Sequence, residues 1–163
     1  MGTPDAPPPV LDMARVIAYA IVDDSIEWTG RQTIFVGDEK LGRVPRLALA
    51  RDVSGELDDV LIFHCDESWE VLGMTGAADV DAAKAITERA YRGITEKWVA
   101  FDVTIEQAQA WIRENYDHIF CLFCGRKPLE FKSLVTQKLG TICNNCIDEF
   151  HNWLHEREGD DGG

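Results

Sequence analysis

Short apolar runs broken by turn residues fill the first half of the chain. Arg15 to Ile26 is rich in Val, Ile and Ala and reads as a strand. Thr33 to Val36 predicts a shorter one, closed by Gly37-Asp38-Glu39. Arg46 to Arg51 predicts a third, with Pro45 confining its start to an edge or entry point. Asp52 to Glu56 is a turn, and Val60 to Cys65 is the strongest strand, an unbroken apolar run. Trp69 to Leu72 extends it as a hairpin arm ended by Gly73. The period then lengthens. Asp79 caps a helix whose apolar face is Ala82, Ala83, Ile86, Ala90 and Tyr91, with Gly93 as its stop. Lys97 to Phe101 predicts a last short strand. Thr104 opens a second helix with Gln107 as capping-box partner, and Ala108, Trp111, Ile112 and Tyr116 carry its buried side. This order predicts an α+β fold: a mostly antiparallel sheet with helices on one face, followed by a small C-terminal module.

The C-terminal module is defined by cysteines. Cys121-Leu-Phe-Cys124 is followed, after eighteen residues, by Cys143-Asn-Asn-Cys146. Paired cysteines two residues apart turn both sulfurs onto one ion, and two such pairs at this distance are the spacing of a structural zinc site. Two disulfides, or four unrelated core thiols, are the competing readings. The spacing favours one structural Zn²⁺ held by Cys121, Cys124, Cys143 and Cys146 in a treble-clef-like module. Four thiolates fill a tetrahedral ion and leave no position for water or substrate. Phe131, Leu134 and Val135 recur at helical spacing and are expected to cover the metal core. Ile147, Phe150 and Leu154 fall at i, i+3 and i+7 on a final helix, with Trp153 beside them. About 35 residues cannot bury this much apolar surface alone, so the stripe is a candidate interaction surface.

The stretch from Cys121-Leu-Phe-Cys124-Gly125-Arg126-Lys127 to Cys143-Asn-Asn-Cys146-Ile147-Asp148-Glu149 resembles the N-terminal zinc-binding domain of the ClpX unfoldase. Phe123, Gly125, Leu134, Val135, Gly140, Ile142 and Ile147 stand at matching places, and the spacing between knuckles also matches. The resemblance covers Phe120 to Leu154, under a quarter of the chain. It implies a short amphipathic helix between the knuckles, a second helix opened by the second knuckle, dimerisation, and binding of substrates and adaptor proteins. The ATPase does not come with it, because no GxxxxGK[ST] phosphate loop occurs in the chain. In the family the module is N-terminal, whereas here it is C-terminal. Phe63 to Gly73, with the following helix and the Tyr91-Arg92-Gly93-Ile94 turn, resembles a domain of small uncharacterised bacterial proteins. Some small acidic proteins of this kind are immunity factors against toxins.

These signals divide the 163 residues into a flexible Pro-rich leader (1–13), an acidic α+β domain (14–116), a ClpX-like C4 zinc module (117–157) and a disordered tail (158–163). The formal net charge is −13. Residues 1–116 hold 11 Lys/Arg against 21 Asp/Glu, and residues 117–163 hold 5 against 8. Neither part attracts phosphates by net charge, which argues against nucleic-acid binding. An acidic protein suits a basic partner, although charge also serves solubility. No signal-peptide pattern opens the chain and no apolar run is long enough to span a bilayer. Reduced thiols and zinc suit the cytoplasm, and the whole reads as a bacterial cytoplasmic protein.

Other candidate chemistry is weaker. His64, Cys65, Asp66 and Glu67 are consecutive, but neighbours on a strand point to opposite faces, so Cys65 reads as a buried small hydrophobe. Asp23-Asp24 and Asp58-Asp59 lack the loop order of a calcium site and read as solvated turns. His118 lies three residues before Cys121 and is expected at a helix end or beside the metal ligands. His151 and His155 form an i, i+4 pair able to bind a transition metal, without the adjacent Glu of a metalloprotease. The expected function is non-catalytic protein–protein interaction, in the form of an immunity-type antagonist of a basic partner. The zinc module would brace that surface or form a homodimer through Ile147, Phe150 and Leu154. An adaptor presenting clients to an ATP-dependent protease is the alternative, and a small hydrolase is third.

Overall fold

The computed structural model describes residues 5–137 and 139–160. The chain divides into two compact units, Met1–Ala108 and Gln109–Gly163.

The first unit is built on an antiparallel sheet. Its strands are β1 (Val10–Leu11), β2 (Ala14–Ile21), β6 (Arg46–Asp52), β7 (Val60–Cys65) and β8 (Val71–Ala77), hydrogen-bonded in that order, with β10 (Val99–Ala100) also on β2. Two small pairs lie off the sheet: β3 (Glu27–Trp28) with β9 (Tyr91–Arg92), and β4 (Ile34–Val36) with β5 (Glu39–Leu41).

Strand parity explains how both faces of the sheet are buried. Leu47 and Leu49 of β6, with Val60 and Ile62 of β7, point to one side. Ala48, Ala50, Phe63 and Cys65 point to the other. On β2 the parity switches, because the pairing with β6 slips between Val16 and Ala18. Ala14 and Val16 therefore join Phe63 and Cys65, whereas Ala18 joins Leu49 and Ile62. Helix α1 (Val80–Ala90) covers the Ile62 side with Ala83, Val80 and Ile86. It starts where the sequence places it: the Asp79 carboxylate accepts a 2.7 Å hydrogen bond from the Ala82 N–H. On the opposite side, Tyr19 packs edge-on against both Trp69 and Phe101, each at 5.7 Å between centroids. Each fully buried Leu, Ile or Phe contributes about 1.5–3 kcal/mol to this core.

The α+β, largely antiparallel architecture is as expected, and several boundaries are corrected. The segment read as a leader is structured before residue 13: Val10 and Leu11 are buried and pair with Arg15 and Ala14. Residues 1–4 of that leader lie outside the described residues. The long strand expected to Ile26 stops at Ile21, and Asp23 to Ser25 turn the chain through Asx-type hydrogen bonds. Gly73 does not end the hairpin arm. It sits inside β8, where an added Cβ would lie 2.5 Å from Ile34 Cγ2, so its bare backbone makes room for β4. The strand expected at Lys97 to Phe101 is a 3₁₀ turn (Ile94–Lys97) followed by the two residues of β10.

Helix α2 (Ile105–Asn115) opens with the expected capping box: Thr104 Oγ1 accepts from Gln107 N–H at 3.1 Å, and Gln107 Oε1 accepts from Thr104 N–H at 2.9 Å. In the second unit a β-hairpin, β11 (Leu134–Gln137) and β12 (Gly140–Cys143), precedes helix α3 (Asn144–Asp160). The helix expected around Phe131, Leu134 and Val135 is thus replaced by a turn and a strand. Leu134, Val135 and Thr136 include two β-branched residues, and pairing with β12 outweighs their helical spacing. The disordered tail expected from 158 is corrected at its start, since α3 runs to Asp160; residues 161–163 lie outside the described residues.

Candidate metal centre

Two turns and one hairpin deliver the four thiols. In the first knuckle the Gly125 N–H donates to Cys121 C=O at 2.8 Å and the Cys121 N–H donates to Arg126 C=O at 2.9 Å. Gly125 has a φ of 73°, a left-handed conformation that glycine adopts without steric cost. In the second knuckle Cys143 closes β12 and Cys146 lies in the first turn of α3. A Leu122 N–H to Thr141 C=O bond of 2.9 Å ties the first knuckle to the hairpin. Gly140 is needed for that approach: its φ is 147°, and a Cβ there would come within 1.9 Å of Leu122 Cδ1. Asn144 fastens the far side, its Oδ1 accepting from the Lys132 and Ser133 N–H groups at 3.0 and 3.2 Å.

The four sulfurs lie within 4.8 Å of one another. Cys121 Sγ is 3.7 Å from Cys146 Sγ, and Cys124 Sγ is 3.7 Å from Cys143 Sγ. A disulfide requires about 2.05 Å. A tetrahedron of sulfurs around zinc at about 2.3 Å has edges of about 3.8 Å. The cluster therefore has the dimensions of a Zn²⁺ cage, and it forms one site for one structural zinc. Cys121, Cys143 and Cys146 are buried and Cys124 is exposed, with Phe131 and Ile142 packed against the cluster.

The electrostatics of the bare thiols show what the ion must supply. Burial pushes the Cys121 thiol up, but N–H donors of Cys143, Cys124 and Phe123 outweigh it and hold the group at about 6. The Arg126 N–H lowers Cys124. Cys146 is pushed up to about 12 by burial and by its neighbouring thiols. Such close sulfurs cannot all ionise without a cation among them. Zn²⁺ removes that conflict, and the caged ion keeps a net double negative charge. The Arg126 guanidinium, 3.5 Å from Cys124 Sγ, offsets part of it.

Arg126, Leu122, Thr141 and Asn144 are the supporting residues that spacing alone does not reveal. Only the basic residue after Gly125 and the Asn opening a helix hinted at them. His118 is exposed, stacks on Tyr116 at 6.4 Å between centroids, and is not part of the four-cysteine cluster. Ile147, Phe150 and Leu154 are exposed, as are Leu122, Phe123 and Trp153. Phe123 and Phe150 meet edge-on at 5.1 Å, joining the first knuckle to α3.

The remaining candidates lie in the first unit. His64 and Cys65 point to opposite faces of β7. Cys65 is buried and its thiol is pushed up to about 12, first by burial and then by the charges of Asp12 and Asp66. Burial pushes His64 from its ordinary 6.5 down to about 4. Among the described residues His64 Nε2 and Gln32 Oε1 have no hydrogen-bond partner, and both residues line a cavity of about 10 Å³, roughly the space of one water. Asp23 is held at about 2, first by its hydrogen bond to Lys97, 2.7 Å away, and then by Ser25. Asp58 and Asp59 are exposed between β6 and β7.

Residues 119–156 match the family model of the ClpX C4-type zinc finger. No curated protein and no solved structure matches the chain. The likeness drawn from Phe63 to Ile94 gains no support from these comparisons. No helix among the described residues is long and apolar enough to cross a membrane.

Proposed function

We propose that this chain is a recognition protein in which a closed zinc cage fixes an apolar surface for another protein, without catalysis. One observation carries the reading. The module with a saturated four-thiolate site also exposes Leu122, Phe123, Ile147, Phe150, Trp153 and Leu154. Large apolar side chains gathered on so small a unit are costly to leave in water and are a usual mark of a docking surface. A saturated zinc ion offers no site for chemistry.

Two finer forms follow. The first is an antagonist of a basic partner, of the immunity or antitoxin type, acting in the cytoplasm. The acidic balance of residues 1–116 supports it, as does the exposed stretch Glu56, Leu57, Asp58, Asp59, which joins carboxylates to one large apolar side chain. In this form the zinc unit braces the complex or pairs two copies through Ile147, Phe150 and Leu154. The second form is an adaptor for an ATP-dependent unfoldase or protease. It is favoured by the match of residues 119–156 to the ClpX zinc finger.

Isolation of the zinc-loaded chain with its natural partner separates the two. An antagonist keeps a basic partner in the Phe150→Ala variant and loses it at high salt. An adaptor binds an unfoldase and releases it after chelation or in Phe150→Ala. A chain that binds no protein, or that turns over a substrate in a manner abolished by Cys65→Ser, contradicts the reading.

A further inference from the structure

Helix α3 carries a second group of metal-ligating side chains, separate from the cysteines. His151 and His155 stand four residues apart, one helical turn, so their side chains leave the same face. Both are exposed, and their ring centroids are 4.3 Å apart with an interplanar angle of 72°. A metal bound to an imidazole nitrogen at about 2.0–2.1 Å lies about 3.1 Å from the ring centroid. Two imidazoles at right angles around one ion then have centroids about 4.4 Å apart, and at the tetrahedral angle about 5.1 Å. The observed spacing places the two rings within reach of one shared ion.

We propose that His151 and His155 form a second metal site, a two-imidazole chelate for a divalent ion of tetragonal or octahedral preference, Ni(II) or Cu(II). The remaining positions are taken by water. Among the described residues the only group of three or more clustered ligating side chains is the four-cysteine one, so this site stays open where the zinc cage is closed. Imidazole ligands suit these ions, which stand high in the order of divalent-metal affinity. The surroundings favour a cation: Asp148, Glu149 and Glu156 lie on the same helix. The second imidazole is delivered by the same rigid helix, so it binds at high effective concentration and little ordering is required.

The test uses the full, zinc-loaded chain titrated with Ni(II), with bound nickel and retained zinc both measured. The expected result is one Ni(II) per chain with zinc retained. Affinity should fall on the order of tenfold or more in His155→Ala. It should not recover in the double variant Asn152→His/His155→Ala, which keeps the number of histidines but moves the second off the shared face. His118→Ala should leave it unchanged. Equal binding in His155→Ala, recovery in the double variant, or zinc leaving as nickel enters would each overturn the proposal.

Discussion

In the first unit Leu47, Leu49, Ile62, Phe63 and Tyr91 are buried on the two faces of a sheet, and chain-distant strands close over them. In the second, the cluster around the metal centre consists of Cys121, Cys143 and Cys146, with Phe131 and Ile142 partly covered beside them. The first unit buries a continuous set of large apolar side chains and leaves a smaller share, Phe35, Leu57 and Met74 among them, exposed. The second exposes Phe123, Phe150, Trp153 and Leu154. One ion does for the second unit what several buried aliphatic and aromatic residues do for the first. That substitution frees the module's large apolar residues for its surface, which is where recognition needs them.

The largest effect should come from breaking the cage. Cys143→Ser removes one of four ligands, and zinc binding in such modules stabilises the folded form by on the order of 10 kcal/mol. Hydrogen exchange should show residues 121–156 losing protection while β6 and β7 keep theirs. Loss of protection in both units together would erase the contrast. The reverse experiment is Phe63→Ala. It should cost the first unit about 3–5 kcal/mol in denaturant unfolding and leave the zinc content at one per chain.

The pH dependence sharpens the comparison further. His64 takes up a proton near 6.5 when unfolded and near 4 when folded. The unfolded chain therefore binds more protons between those values. The stability from keeping His64 neutral is complete above pH 6.5 and is lost progressively as pH falls toward 4, by up to about 3 kcal/mol. His64→Gln should flatten that slope in the first unit, and an unchanged slope would assign it to other groups. The smallest effect is expected at the helix cap. Asp79→Ala should destabilise the first unit by about 1 kcal/mol in the same unfolding measurement, with no change in metal binding.

Legibility in the sequence followed the locality of the physics. The spacing within each cysteine pair, the Asp79 cap and the Thr104–Gln107 box are set by residues within a few positions of one another, and each is readable. The apolar run of β7 was readable for the same reason. The β2 bulge was not, because it exists only in the register against β6. Gly73 looked like a stop because its reason, the approach of Ile34, is thirty-nine residues away in the chain. Phe131, Leu134 and Val135 suggest a helix because three apolar residues fit that period, while the strand that Leu134 and Val135 enter depends on its partner β12. Val10 and Leu11 were hidden in a Pro-rich opening because a two-residue strand has no period to detect.

Native mass spectrometry of the full chain, with thiol counting before and after chelation, bears most directly on the metal centre. One zinc per chain is expected, with Cys121, Cys124, Cys143 and Cys146 resistant to alkylation until the metal is removed and all four reactive afterwards. A metal-free chain lighter by the hydrogens of two disulfides, or one whose four thiols react freely with zinc still bound, would contradict the account.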